Sequence, residues 1–213
     1  MIKLDLHIHT EYSEDCLISL DKLIEKCKEK NIIPAITDHD SVKAIKKLGK
    51  MGFSFLPGIE VSSKDGHIVG LFCNELIPKD LSAEKTIDNI HKQGGLAVAV
   101  HPFDTYRKGL EKTKWIKKCD IIEVFNARTF RKKNEKAERF SNKYGMIKSV
   151  GSDAHFLFEI GDTYIEIEEF DFNNPKEFLK KLKKAKLHKK SAPFYVHGPT
   201  TFVKYYKWLR RRI

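Results

Sequence analysis

Cysteine pairs are missing from this chain. The four cysteines, Cys16, Cys27, Cys73 and Cys119, are well separated and form no C-x-x-C unit. That spacing argues against a disulfide scaffold or a thiolate zinc site and suits reduced, mostly buried thiols in a cytoplasmic protein. No uncharged apolar run approaches the ~18 residues that a membrane span needs. The first strand-like run is interrupted at once by Asp5, His7 and His9, so it does not read as a signal peptide. Repeats and low-complexity stretches are lacking as well. Acidic residues nearly vanish at the C-terminal end: Lys176–Ile213 holds thirteen Lys or Arg and one acid, Glu177. That segment sums to +12, which leaves residues 1–175 of a +11 chain at −1. The body is neutral and the tail is basic.

What is present is an ordinary globular composition, 41% hydrophobic and 32% charged over 213 residues, enough for one buried core. Apolar residues alternate between short strand-like runs and amphipathic stretches, the pattern of a βα succession. Strands are expected at Ile2–Leu6, Ile32–Thr37, Phe53–Val61, His67–Phe72, Leu96–Val100, Ile121–Phe125, Met146–Val150 and Tyr164–Ile167. Helices are expected from Ser19, over Ser41–Met51, Ser82–Gln93 and Arg131–Tyr144, and from Pro175 to about Leu187. This periodicity indicates a parallel α/β protein and does not separate a closed barrel from an open sheet.

Six of the nine histidines lie in short motifs whose other polar members are nearly all Asp or Glu. They are DLHIHT (His7, His9), ITDHD (His39), GIEVSS followed by GHIVG (Glu60, His67), VHPF (His101) and GSDAH (Asp153, His155). Imidazoles and carboxylates together are what divalent transition metals bind. Nearly all of these residues fall at or just beyond the C-terminal ends of strands, and His7 and His9 share one face of the first strand through their i,i+2 spacing. Parallel barrel strands converge their C-terminal ends on one mouth, so the pattern predicts a polynuclear metal site there. Two metals ~3.5–4 Å apart can share a water, lower its pKa and aim it at a phosphorus centre.

In their order and spacing these motifs resemble those of the polymerase and histidinol phosphatase (PHP) family of metal-dependent phosphoesterases, over roughly Ile2 to Ile167. The resemblance implies a distorted seven-stranded (β/α) barrel in a single domain, spanning 1–187, with 188–213 as a basic aromatic extension packed on or flanking it. It also implies two to three divalent ions (manganese, iron or zinc). His7, His9, Glu60 and Asp153 would hold one, and Glu60 would bridge to a second on His67 and His101. Asp15, His39 and His155 would hold a third. This chain reads Ser13-Glu14-Asp15-Cys16 where the commoner family text places the acid directly after the serine, so Glu14 stands beside Asp15 as a candidate. Asp5, Thr37, Asp38 and Asp40 could orient ligand rings, or could cap helices instead. Arg128 is the candidate catalytic and substrate-binding residue, a planar fork suited to a phosphate.

The expected activity is hydrolysis of phosphate esters by a metal-bridged hydroxide, on nucleotides or short oligonucleotides. A histidinol-phosphate-type phosphatase is one alternative. A nucleic-acid-binding or assembly module with a vestigial metal site is another. His91, His188 and His197 read as structural, and Ser62 and Ser63 lack a nucleophile elbow. In the tail, Tyr205, Tyr206 and Trp208 interleave with Lys204, Lys207 and Arg210–Arg212. Such a segment can contact nucleic acid, lie on an anionic membrane or simply pack on the barrel.

Overall fold

The computed structural model describes residues 1–210. β1 (Ile2–Ile8) is the hub of a nine-stranded sheet. On one side it pairs in parallel with β2 (Ile33–Ile36), which pairs in parallel with β3 (Leu56–Ser63). β3 then turns back into β4 (Gly66–Leu71), which runs antiparallel to both β3 and β5 (Leu96–Ala99). β6 (Ile121–Asn126) and β7 (Ile147–Gly151) continue in parallel. Beyond β7 the chain returns to β1: Asp153 N–H donates to His7 O at 2.7 Å and His9 N–H donates to Ala154 O at 3.1 Å. The seven strands therefore curl into a nearly closed barrel, with one antiparallel strand among parallel ones. β8 (Tyr164–Ile167) pairs antiparallel with the first half of β1, and β9 (Lys186–His188) pairs antiparallel with β8.

Local signals explain the helices that wrap this wall. α1 (Leu20–Lys30) begins after extended Ser19, buries Leu20, Leu23 and Cys27, and ends where Asn31 adopts a left-handed conformation. α2 (Lys43–Lys50) buries Ala44, Ile45 and Leu48. α3 (Ala83–Lys92) is capped by Ser82, whose hydroxyl accepts from Lys85 N–H. The single turn α4 (Thr113–Ile116) precedes β6, and α5 (Arg131–Tyr144) stops at left-handed Gly145. β5 is buried along its whole length, as a strand covered on both faces must be. All four cysteines are buried and unpaired. No helix among the described residues is long and apolar enough to cross a membrane.

Two expectations need correction. The parallel succession is broken at β4, because the Ser63–Gly66 turn is too short for a crossover and only an antiparallel return fits it. The lysine-rich helix, α6 (Pro175–Leu182), is also shorter than expected from its stripe. Residues beyond Lys183 leave the helix so that Leu187 pairs with Ile165 along the β8 edge. β9 thereby spans the 187/188 junction. α7 (His197–Arg210) follows, and its His197, Thr200, Thr201 and Lys204 line the cavity at the barrel mouth. The expected extension includes Arg211, Arg212 and Ile213, which fall outside the described residues.

Gly151 ends β7 where β7 meets β1, and a Cβ there would lie 2.5 Å from His7 Cβ. Gly49, inside α2, has nothing within 4 Å of the same position. Gly151→Ala should therefore cost about 1–3 kcal/mol through overpacking, whereas Gly49→Ala should stabilise by roughly 0.5–1 kcal/mol through helix propensity. Thermal unfolding of the two variants tests this. Equal melting temperatures would contradict it.

Candidate metal centre

The barrel mouth is organised around one carboxylate. Glu60, on β3, is only 1% exposed. Its Oε2 lies 3.3 Å from His7 Nε2, 3.3 Å from His9 Nε2 and 3.3 Å from His39 Nδ1. Its Oε1 lies 3.0 Å from His67 Nδ1 and 3.1 Å from His101 Nε2. Five imidazoles from four different chain segments thus face both oxygens of one side chain. Asp153 flanks them, with Oδ1 at 3.2 Å from His9 Nε2 and 3.8 Å from His7 Nε2. On the opposite flank Asp15 Oδ2 lies 3.0 Å from His155 Nε2 and 3.5 Å from His39 Nε2. All nine residues expected at the site are gathered here.

Their donor atoms form four overlapping groups, each with ligand atoms within 4.8 Å of one another: His9, Asp15, His39 and His155; His7, His9 and Glu60; His7, His101 and Asp153; His39, Glu60 and His67. The set fits divalent cations on a second count. Buried His9 Nε2, His39 Nδ1, His67 Nδ1, His101 Nδ1, His155 Nε2 and Asp153 Oδ1 make no well-oriented hydrogen bond among the described residues, although most lie 3.0–3.3 Å from a carboxylate or imidazole of the cluster. Orphaned buried donors and acceptors on that scale are rare in folded proteins and point to an ion.

The electrostatics agree. Burial alone would raise the Glu60 carboxyl, but the imidazoles of His39, His7 and His67 outweigh it and hold Glu60 well below the usual carboxylate range. Asp153 behaves likewise, with burial overcome by Arg107 and His7. Burial disfavours a charged His7, yet Asp153, Glu60 and Glu123 push it well above the ordinary imidazole value. The carboxylates call for positive charge at the centre. His155 and His67 run the other way: burial pushes His155 down to about 4 and lowers His67 as well, which favours neutral rings able to ligate.

Ligand rings are aimed by residues that the sequence did not single out. Glu123 Oε1 lies 3.1 Å from His7 Nδ1, and Glu123 Oε2 accepts from His101 N–H at 2.7 Å. Asn126 Nδ2 donates to both Glu123 Oε2 and Asp153 Oδ2, at 3.0 and 2.9 Å. Ser13 Oγ lies 3.2 Å from His9 Nδ1 and donates to Asp15 Oδ1 at 2.9 Å. The four residues expected to orient rings do other work. Asp5 accepts from His7 N–H and Ser152 N–H, and burial pushes its carboxyl up to about 7. Thr37 Oγ1 bonds the Ile8 backbone, Asp38 holds Thr10, and Asp40 accepts from Ser62 N–H. Each ties one strand end to the next, because short side chains at these positions reach the neighbouring backbone and not a ring. His101 and Asp153 themselves sit at positive φ, 31° and 55°, strained backbone of the kind that clusters at functional sites.

Above the donors opens a cavity of about 600 Å³. Its walls include Asp15, His39, His67, His101 and His155 together with Arg107, Lys108 and Lys204. Arg107 reaches into the ligand cluster, donating to Asn126 Oδ1 at 2.8 Å and pairing with Asp153 Oδ2. Arg128 lines the same cavity, but its guanidinium is engaged elsewhere: Nη2 donates to Val196 O at 2.9 Å and to Thr200 Oγ1, and Nε lies 3.4 Å from Glu159 Oε1. Its fork ties the barrel to α7. Of the two candidate acids, Asp15 faces the imidazoles while Glu14 pairs with Lys204. An aromatic rim completes the mouth, with Phe130 stacked 6.4 Å from His197 and 5.8 Å from Phe194, and Tyr106 beside it. His91 pairs with Asp120, and His188 stacks on Tyr164, both away from the centre.

The only sequence signal for Glu123 was an acid inside the apolar run Ile121–Phe125. Glu123→Gln keeps the shape but weakens the hold on His7, so metal affinity should fall by roughly 10–100-fold. Titration of the metal-free variant with manganese measures this, and unchanged affinity would contradict the assigned role.

Comparison with known proteins agrees with this architecture. The family model for PHP-associated sequences matches residues 131–187. Uncharacterized protein MJ0417 of Methanocaldococcus jannaschii is 38% identical over 196 residues, covering 85% of this chain and 79% of its own length. PsfC from Pseudomonas syringae superposes with a TM-score of 0.64 at 14% identity, over 97% of this chain and 98% of its own. A candidate metal-dependent phosphoesterase from Bifidobacterium adolescentis superposes with a TM-score of 0.57 at 17% identity, over 72% of this chain and 87% of its own. At such identities the superpositions speak for the fold alone. The relative at 38% identity and the PHP-associated match, with the motif order and the gathered donors, identify this chain as a member of the PHP family.

Proposed function

We propose that this protein is a metal-dependent phosphoesterase acting on nucleotides or short oligonucleotides, with two to three divalent ions on the nine gathered donors. His7, His9, Glu60 and Asp153 would hold one ion. His67 and His101 would hold a second that shares Glu60, and Asp15, His39 and His155 a third. The observation that carries this reading is the Glu60 carboxylate, both of whose oxygens are ringed by imidazoles at 3.0–3.3 Å beneath an open cavity. That arrangement suits a bridging ligand. When bound, the ions supply Lewis-acid charge on phosphate oxygens and lower the pKa of water.

The chain's own residues do the rest. Water adds to phosphorus as the bond to the ester oxygen breaks, and the alcohol departs with a proton. Arg107, on the cavity wall beside Asp153, offers fixed positive charge to the phosphate oxygens. Glu123 and Ser13 keep the His7 and His9 rings in place. Phe130, Phe194 and His197 cluster at the rim, with Phe130 near-parallel to His197 at 24° and Phe194 tilted against both, so that aromatic faces are available to a base. Base stacking on such a surface is worth roughly 1–3 kcal/mol, which favours a nucleotide over a sugar phosphate.

With manganese added, the protein should release phosphate or mononucleotide from a panel of nucleotides, oligonucleotides, histidinol phosphate and sugar phosphates. A chelator should abolish turnover, and His9→Ala should lower kcat/KM by at least about 100-fold. Phe130→Ala should raise KM for a nucleotide by about tenfold and leave glycerol phosphate hydrolysis unchanged. Chelator-resistant turnover would refute the metal mechanism. Equal losses on both substrates would refute the stacking role.

A further inference from the structure

The Asp15–His39–His155 group differs from the other donors in how it is built. Of the other donors, His7, Glu60 and His67 sit on strands and His9, His101 and Asp153 lie within two residues of a strand end, whereas Asp15 lies in the irregular segment between β1 and α1, and His155 is four residues beyond β7. Neither has a strand ladder to fix it. Beside local bonds such as that between His155 Nδ1 and Asp153 O at 2.8 Å, the C-terminal helix reaches the Asp15 segment directly and the His155 segment through Arg128.

Lys207 Nζ, from α7, donates to two backbone carbonyls of the Asp15 segment, Glu11 O at 2.6 Å and Ser13 O at 2.7 Å. Lys204, one turn earlier, pairs with Glu14. The Ser13 hydroxyl, held by that anchorage, donates to Asp15 Oδ1 and accepts from His39 N–H at 3.3 Å. A second route starts where the chain enters α7, at Val196 just before the helix and Thr200 in its first turn. Val196 O and Thr200 Oγ1 accept from Arg128, whose Nε faces Glu159 Oε1. Glu159 Oε2 in turn accepts from His155 N–H at 2.9 Å and from Phe156 N–H at 2.9 Å. Each of the three donors is thus reached from α7 through one or two intermediates.

The geometry points to α7 as a strap of the metal centre, with Lys207 as its principal positioning residue, so that the Asp15–His39–His155 group takes its cation only with the helix docked. Lys204 contributes less, because its pair with Glu14 is solvent-exposed. Two cations of the basic tail then serve the barrel mouth. This inference rests on the metal reading above, and the test separates the two.

Metal-free wild type, Lys207→Met, Lys207→Arg and Lys190→Met are titrated with manganese, and retained ions per chain are counted by mass spectrometry. Lys190 pairs with Asp162 away from α7 and serves as the control. Lys207→Met should lose one ion per chain, or bind its weakest ion about tenfold more weakly. Lys207→Arg should restore binding at least in part, and Lys190→Met should match wild type. Equal stoichiometry and affinity in Lys207→Met would overturn the inference, as would an equal loss of every ion. A wild type that retains no manganese would overturn the metal reading itself. Hydrogen exchange on wild type alone gives an independent check that needs no variant to fold. By linkage, manganese should slow exchange across residues 197–210 as well as around Asp15. Protection confined to the ligand segments would overturn the strap.

Discussion

A carboxylate withdrawn from water is tolerated only if positive or donor groups close in on it. Glu60 sets that condition for the whole barrel mouth. Its two oxygens point to different sets of rings, so strand ends far apart in sequence have to arrive at the same spot. The β3–β4 return is part of the answer: pairing Ser62 with His67 across the hairpin brings an imidazole back beside the acid from which the strand departed. The closure of β7 onto β1 is the other part, because it lays Asp153 against His7 and His9. The antiparallel strand within the barrel, β4, is thus the device that lets one carboxylate face imidazoles from both sides.

Much of the centre was legible in the sequence because its ligands occur as short, dense motifs at strand ends. Period-two spacing placed His7 and His9 on one face, and TDHD and GSDAH announced themselves by packing acids beside imidazoles. The residues that aim those rings carried no such signature. Glu123 sits alone in an apolar strand, and Asn126 and Arg107 look like any polar loop residues until the fold sets them against Asp153. The same limit applies to Asp5, Thr37, Asp38 and Asp40. Adjacency to a ligand in sequence suggested contact with its ring, but a strand end offers a neighbouring backbone first, and that is where these side chains bond.

The fold was readable where periodicity was long and capped, as in α5, and less so where tertiary pairing overrode it. Nothing in the run from Pro175 marks a stop before Leu187. The open β8 edge, not a local breaker, draws Lys186–His188 into the sheet. The basic tail was read as a charge pattern with several outlets. In the folded chain Lys204 and Lys207 turn toward the Asp15 segment, while Phe202 and Tyr205 stay exposed. Arg128 shows the same principle: its planar fork was evident in the sequence, its commitment to α7 was not.

The most direct test of Glu60 as a shared ligand is anomalous diffraction from crystals grown with manganese. The account predicts anomalous peaks on both sides of the Glu60 carboxylate, one toward His7, His9 and Asp153 and one toward His67 and His101. A mouth without peaks, with Glu60 held by imidazoles alone, would contradict it, as would a single ion that leaves one Glu60 oxygen uncoordinated.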